Sequence, residues 1–367
     1  MKFKIKREDL LKPLQIVLGA VERKQTLPIL SNILLSTKTH FLVLAATDME
    51  VEMQAKVTLT EPAEPGEITI PARKMMDICR TLSAENHLEF SISQHQLLLK
   101  SGRSRFSLST LPASEFPKVE EIPGDIEFNI KNKELRYLLE SVNFAVAQQD
   151  VRNYLNGMLL EINTNTLKTV ATDGHRLALS VISAEQEFHK KGQFIIPRKG
   201  ITEMLRLLED PEKTSTLTLT QNHLKMVVDQ YTFTSKFIDA RFPDYERVIP
   251  KNVDKEITLE RDVLKDALTR VSVLSNEKYR GIRLQFRADL FVISANNPEN
   301  EEAEEEIPVS YSGEEFDIGF NVSYLLEALA ALPEGKVKLS LMGVGGSLLI
   351  ESLTDPNNIH VVMPMRL

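Results

Sequence analysis

Apolar positions along this chain fall into one pattern laid down three times. "FKIKREDLLKPLQIVLGAV" from residue 3, "FNIKNKELRYLLESVNFAV" from residue 128 and "ITLERDVLKDALTRVSVL" from residue 257 each pass from a short alternating stretch through a charged turn into an amphipathic segment. Leu135, Leu138, Leu139 and Val142 recur at i, i+3, i+4 and i+7. Leu10, Leu11, Leu14, Val17 and Leu18 make the same stripe in the first copy, and Val263, Leu264, Ala267, Leu268 and Val271 in the third. That spacing gathers the apolar side chains on one face of a helix. Pro13 lies inside the first of these helices, where it removes a backbone donor and predicts a kink or an irregular turn.

A second helix is predicted about 70 residues into each copy, at 71–82, 197–208 and 321–332. Its apolar positions keep register: Met75, Ile78, Cys79 and Leu82, then Ile201, Met204, Leu205 and Leu208, then Val322, Leu325, Leu326 and Leu329. Short alternating or apolar runs such as "HFLVLAATD", "STLTLTQNHLKMVV" and "SLLIESL" lie between and after the helices, bounded by Gly, Asn, Asp or Pro, and predict antiparallel meanders. The reading is an α+β protein of three repeated domains, 1–125, 126–254 and 255–367, each with two helices packed on antiparallel sheets.

Composition narrows the class. A chain of 367 residues exceeds what one compact domain usually holds. Its 42% hydrophobic and 26% charged residues form an ordinary soluble mixture, and no window approaches the roughly 20 apolar residues of a membrane helix. The opening "MKFKIKREDLLKPL" is too charged for a secretory signal. Cys79, the single cysteine, allows neither an internal disulfide nor a cysteine zinc site, so a cytoplasmic protein with a core-filling cysteine is expected. None of the seven histidines pairs with another at i, i+4, so no metal and no cofactor is expected.

Charge adds a division that the total of −8 hides. Six windows spanning the expected helices (4–24, 73–80, 131–140, 198–206, 261–280 and 321–336) carry 21 basic and 12 acidic residues, a net of +9 that leaves −17 for the rest. Helices gathered on one side would make a positive surface suited to phosphate, with an acidic exterior elsewhere.

One stretch has the look of chemistry. "ATDGHRLAL", residues 171–179, sets Asp173, His175 and Arg176 within four positions. Its counterpart "ATDMEVEM" keeps Asp48 but has Met49, Glu50 and Val51 in place of Gly174, His175 and Arg176, and the third copy reads "SANNPENEEAEE". The frame repeats and the chemistry does not, which favours a strand end with a tight turn at Asp173-Gly174 over an acid–base pair. "GVGG" at 343–346 lacks the spacing of a nucleotide loop and reads as a hairpin turn. From these residues alone, a hydrolase using Asp173 and His175, a repeat scaffold that binds proteins without DNA, and a phosphate-facing DNA binder all remain open.

Longer motifs carry a resemblance across the whole chain. "TLPILSN", "TIPARK", "SGRSRFSLSTLP", "DVRNYLNGMLLE", "VATDGHRLA", "RFPDYERV", "LSNEKYRGIRL", "NNPENEEAEEE" and the terminal "VVMPMRL" resemble, in the same order, the bacterial DNA sliding clamps, the beta subunits of DNA polymerase III. The resemblance implies a non-enzymatic processivity factor without catalytic residues. Two subunits would join head to tail as a six-domain ring around duplex DNA, with the helices lining the hole. Lys24, Arg73, Gln149, Asn153 and Tyr154 are similar to positions that contact the duplex, although Asn153 departs from a pair of adjacent aromatics. Leu155, Thr172, Gly174, His175, Arg176, Leu177, Pro243, Arg247, Val248, Val361, Val362, Met363, Pro364, Met365 and Leu367 are similar to a pocket that takes short linear peptides from the polymerase alpha subunit, the clamp loader, other polymerases and repair factors. Arg103, Arg105, Phe106 and Leu108 of one subunit would meet Val273, Leu274, Glu301, Glu302, Glu304 and Glu305 of the other in a homodimer. No membrane partner is implied.

Overall fold

The first residue of each repeat's first helix, Arg7, Asn132 or Arg261, has the same task. These helices are α1 (Arg7–Val17), α3 (Asn132–Asn143) and α5 (Arg261–Ser272); the second helices are α2 (Ala72–Thr81), α4 (Arg198–Leu207) and α6 (Val322–Ala330). Arg7 Nε donates to the Cys79 carbonyl at 2.8 Å, Asn132 Nδ2 to the Asp210 carbonyl at 2.9 Å and Arg261 to the Leu332 carbonyl at 2.6 Å. Each bond satisfies a carbonyl in the last turn of the second helix or just beyond it, where no helical donor remains. In the computed structural model, residues 1–21, 27–93, 96–117, 124–251, 253–342 and 345–366 are described.

The apolar stripes turn inward as their spacing requires, with one exception. Leu135, Leu138, Leu139 and Val142 are all buried, as are Leu264, Ala267, Leu268 and Val271. Val263, expected in the third stripe, is 49% exposed because it stands one residue, about 100° of helix, away from Leu264. The first helix runs through Pro13 to Val17 before tightening into a 3-10 turn at Leu18–Ala20. Cys79 is buried, and burial pushes its thiol up to about 11, so it fills core and stays protonated. The helix charge is smaller than the sequence windows suggested: on the observed bounds the six helices carry 13 basic and 9 acidic residues, a net of +4. The remaining excess sat in flanking segments, and Arg7 and Arg261 are committed to the carbonyls above.

The chain divides into two compact units, Met1–Leu135 with Lys199–Phe237, and Arg136–Arg198 with Ile238–Leu367. Each contains one eight-stranded and one four-stranded antiparallel sheet. In the first unit, strand Val51–Thr58 pairs with Tyr231–Lys236, with Val51 opposite Ser235 and Ala55 opposite Tyr231, which fuses four strands of the first repeat to four of the second. In the second unit, Arg176–Ser183 pairs with Asn358–Val362, with Arg176 opposite Val362 and Ser180 opposite Asn358, and fuses the second repeat to the third. The four-stranded sheets end on Ser104–Ser109 in the first unit and on Glu302–Pro308 in the second. Among the described residues no helix is long and apolar enough to cross a membrane. Of the "GVGG" turn, residues 343 and 344 lie outside the described residues, and Gly345 has φ +88°.

His360 marks the joint in the second unit. Its ring is fully buried, Nε2 lies 3.3 Å from the Ser141 carbonyl on α3, and Phe144 meets it edge-on at 5.0 Å between centroids. Burial lowers its pKa to about 4. The unfolded chain takes up this proton as pH falls below about 6.5, whereas the folded chain resists until about 4, so stability is lost across that window and is unaffected above it. Urea unfolding at pH 7 and pH 4.5 should show wild type losing roughly 2–3 kcal/mol more than His360→Leu. Equal losses would remove His360 from the acid response. At the other end of α3, buried Asn132 also accepts from the Ser215 hydroxyl at 2.7 Å. Asn132→Ala, which strands that hydroxyl and the Asp210 carbonyl, should cost about 1–3 kcal/mol in the same assay.

Candidate functional site

The turn at 172–176 answers the question raised by its sequence. The Thr172 hydroxyl accepts the Gly174 N–H at 3.1 Å and donates to the Arg176 carbonyl at 2.6 Å. Asp173 Oδ1 accepts the backbone N–H groups of His175 and Arg176 at 2.9 and 3.0 Å, while Oδ2 pairs with Arg176 Nε at 3.0 Å. Gly174 has φ +88°, a left-handed conformation that favours glycine. Arg176 is 9% exposed; it also donates to Glu327 and to the Phe144 carbonyl, both at 2.7 Å, and its guanidinium lies 5.2 and 4.6 Å from the ring centroids of Phe144 and Tyr324. The Asp173 carboxylate is therefore spent on a turn and an ion pair. The exposed His175 ring stacks on Tyr324 at 6.1 Å, so the two side chains do not form an acid–base couple.

The first repeat folds the same turn from different residues. Asp48 Oδ1 accepts the N–H groups of Glu50 and Val51 at 2.9 and 2.7 Å, the Thr47 hydroxyl donates to the Val51 carbonyl, and Met49 takes φ +77° where the second repeat has glycine. Asp48 pairs with Lys199 instead of an arginine three residues on.

Beside the 172–176 turn opens a cleft of about 190 Å³. Leu155, Thr172, Gly174, Arg176, Leu177, Val361 and Met363 form the part built on strands and turn. Pro243, Asp244, Tyr245 and Val248 form the opposite wall, and Arg152 and Tyr154 also line it. An apolar cluster including Leu159, Val170, Leu179, Ile195 and Phe242 backs it. Nine of the fifteen residues assigned to a peptide pocket from sequence thus line one cleft, and five of the others stand elsewhere. Val362 faces the other side of its strand, buried in the third repeat's core, because side chains alternate along a strand. Arg247 pairs with Asp244 at 2.6 Å with 85% of its side chain exposed. Pro364 and Met365 line a separate, wider hollow of about 600 Å³ with Arg283, Asp317 and Arg366. His175 lies against Tyr324, and Leu367 is outside the described residues. Arg152, Asp244 and Tyr245 were missed; the signal was an aromatic two residues after Pro243, turned inward by the 3-10 turn Tyr245–Arg247.

The loop assigned to DNA is pinned from beneath. Asn156 accepts the Asp150 N–H at 2.9 Å and donates to the Asp150 carbonyl at 2.8 Å. Arg152 hydrogen-bonds the Asp150 carboxylate and pulls its pKa down to about 2. Gln149 has φ +56° and, like Asn153, is exposed; Tyr154 turns into the cleft. Arg73 is exposed on α2, and Lys24 lies outside the described residues. Arg105, Phe106 and Leu108 sit on the edge strand Ser104–Ser109, with Arg103 just before it. Glu302, Glu304 and Glu305 sit on the edge strand Glu302–Pro308, with Glu301 just before it. Glu305 is already paired with Arg270 at 2.6 and 3.0 Å. Val273 is 76% exposed and Leu274 half-buried. Among the described residues no group of three or more His, Cys, Asp or Glu side chains is placed to hold a metal ion.

Comparison with known proteins places this geometry. Three families match in succession: the N-terminal domain of the DNA polymerase III beta subunit over residues 1–120, its central domain over 129–244 and its C-terminal domain over 246–366. The beta sliding clamps of Pseudomonas putida and Escherichia coli are 54% and 46% identical over 367 residues, covering the whole of both chains. Solved structures of the beta subunit from Pseudomonas aeruginosa (51% identity, TM-score 0.97) and Caulobacter crescentus (36%, 0.95) match over the full length of both chains. With three clamp domains in order and full-length likeness in sequence and structure, the chain belongs to the DNA polymerase III beta subunit family, the sliding clamps.

Proposed function

We propose that this chain acts as a non-catalytic processivity clamp in the cytoplasm: two copies of its three domains, 1–125, 126–254 and 255–367, close head to tail around duplex DNA and tether the replicative polymerase. One observation carries the reading. Both joints within the chain pair the fourth strand of one repeat with the last strand of the next, Val51–Thr58 with Tyr231–Lys236 and Arg176–Ser183 with Asn358–Val362. That rule leaves two strands over, the last of the first repeat, Ser104–Ser109, and the fourth of the third, Glu302–Pro308. Between two copies they would make the same joint again, and a head-to-tail contact that repeats gives a ring when its rotation closes.

Charge supports the match: Arg103 and Arg105 stand on one edge, Glu301, Glu302 and Glu304 on the other. Exposed ion pairs supply only about 0–1 kcal/mol each, so strand pairing and Phe106, Leu108, Val273 and Leu274 would carry the affinity. A clamp that slides must not read bases. Lys24, Arg73, Gln149 and Asn153 would accordingly meet phosphate and sugar, with contacts that weaken in salt. The cleft beside Arg176 would take apolar anchors of short peptides from the polymerase alpha subunit, the clamp loader, other polymerases and repair factors, and the flexible Met363 suits a site with many occupants.

Two measurements test this function. Loaded by its clamp loader and ATP onto nicked circular DNA, the protein should be retained and then lost when the circle is linearised; equal retention on both forms would mean contact binding without encirclement. Arg103→Glu with Arg105→Glu should weaken dimerisation at least about tenfold by sedimentation velocity, and Glu302→Arg with Glu304→Arg in the other copy should restore it. A dimer unmoved by the reversal would place the interface elsewhere.

A further inference from the structure

The wall of the cleft formed by residues 243–248 has only one 3-10 turn of its own, so something outside it must hold it at a fixed distance from the strands. Tyr245 is the residue of this wall that reaches inward. Its ring packs edge-on against Phe242 at 6.5 Å, and its hydroxyl emerges on the far side of the cleft wall into a charged cluster. There Lys168 Nζ donates to the hydroxyl at 3.0 Å, the hydroxyl donates to Glu161 Oε2 at 3.3 Å, and Lys168 lies 3.3 Å from Glu161 Oε1 and 5.5 Å from the Tyr245 ring centroid. Glu161 is fixed in turn by Gln193 at 2.7 Å and Asn163 at 2.9 Å. Both charged side chains are mostly buried, with 18% of Lys168 and 13% of Glu161 exposed.

Strand register puts the pair there. Glu161 stands opposite Lys168 on one neighbouring strand and opposite Gln193 on the other, so the backbone ladder fixes all three and the cluster cannot slide. Burial alone would lower the Lys168 ammonium, but the Tyr245 hydroxyl and the Glu161 charge hold it above its ordinary value. Burial likewise opposes the Glu161 carboxylate, and its hydrogen bonds and Lys168 keep it below the usual range. The pair therefore stays charged at neutral pH. None of Glu161, Lys168 or Gln193 lines the cleft.

We infer that Lys168 and Glu161 are positioning residues for partner binding: they anchor the Tyr245 hydroxyl and so set the width of the peptide cleft before any peptide arrives. This rests on the cleft being the peptide site proposed above. A wall held in advance spares the bound complex the ordering of a flexible segment, which slows dissociation more than it speeds association. Tyr245→Phe keeps the ring and removes only the anchor, and Lys168→Met keeps the stem and removes only the charge and donors.

The probe is a fluorescein-labelled decapeptide with one Leu-Phe pair in a Ser-Gly background, followed by anisotropy and stopped flow on the full-length dimer. Lys168→Met and Tyr245→Phe should each raise Kd about fivefold, chiefly through koff. The double variant should cost no more than either alone, since the two remove one anchor. Lys168→Arg, which keeps a charge and donors for the Tyr245 hydroxyl, should bind more tightly than Lys168→Met. Wild-type binding with unchanged affinity in the variants overturns the anchor alone. Additive losses, or losses accompanied by a dimer that dissociates or melts early, also overturn it, because they assign the pair to the fold in general. No binding by wild type overturns the cleft reading and the anchor with it.

Discussion

Everything in this chain is organised by what happens at the edge of an antiparallel sheet. An edge strand presents a row of N–H and C=O groups that must be paired, covered or left to water. This sequence pairs them twice internally, using one strand type from each repeat on either side of the joint. The repeats are thereby welded into eight-stranded sheets, and no separate docking surface is needed. The cost of the scheme is that a chain of three repeats always ends with one strand of each type unpaired. Those two edges carry charge of opposite sign, with Arg105 on one and Glu302 and Glu304 on the other.

The turn that precedes the fourth strand shows how a repeat can keep its frame and change its use. Threonine and aspartate side chains hold the turn in both of the first two repeats, and the backbone needs a left-handed residue in the middle. Met49 accepts that strain in the first; Gly174 avoids it in the second. What differs is the cation that the aspartate holds. In the second repeat Arg176 is drawn beneath the cleft and sandwiched between two aromatic rings, with each of its hydrogen-bonding sides occupied. A guanidinium so enclosed stays only because its partners are complete, since a buried charge with one partner removed is strongly destabilising.

Much of this was legible in the sequence because the threefold repeat made every inference testable against two others. Helix stripes such as Leu135-Leu138-Leu139-Val142 were read correctly since periodicity reports burial directly. The comparison of Asp48 with Asp173 exposed a turn where a single copy would have suggested catalysis. Periodicity did not correct the resemblance where it grouped Val362 with Val361, although alternation along the strand sends them to opposite sides. Nor could it find the carbonyls that Arg7 and Arg261 satisfy, because a basic residue at a helix start reads the same in sequence whether it faces phosphate or a neighbouring helix end.

The cleft combines two kinds of surface that pull in opposite directions. Leu177, Val361 and Tyr245 belong to a packed apolar cluster, so their positions are fixed by the core behind them. Met363 and the exposed Pro243 lie at its margin, where a thioether with three rotatable bonds can re-pack around different side chains. A site that was adaptable throughout would lose affinity to ordering, and one that was rigid throughout would accept a single sequence. Placing the rigid part on the sheet joint has a further effect. Leu177 and Val361 are opposite one another across the same strand pairing that fuses the second repeat to the third. The cleft therefore exists only when that joint is made, because both of its central apolar side chains hang on one strand pairing.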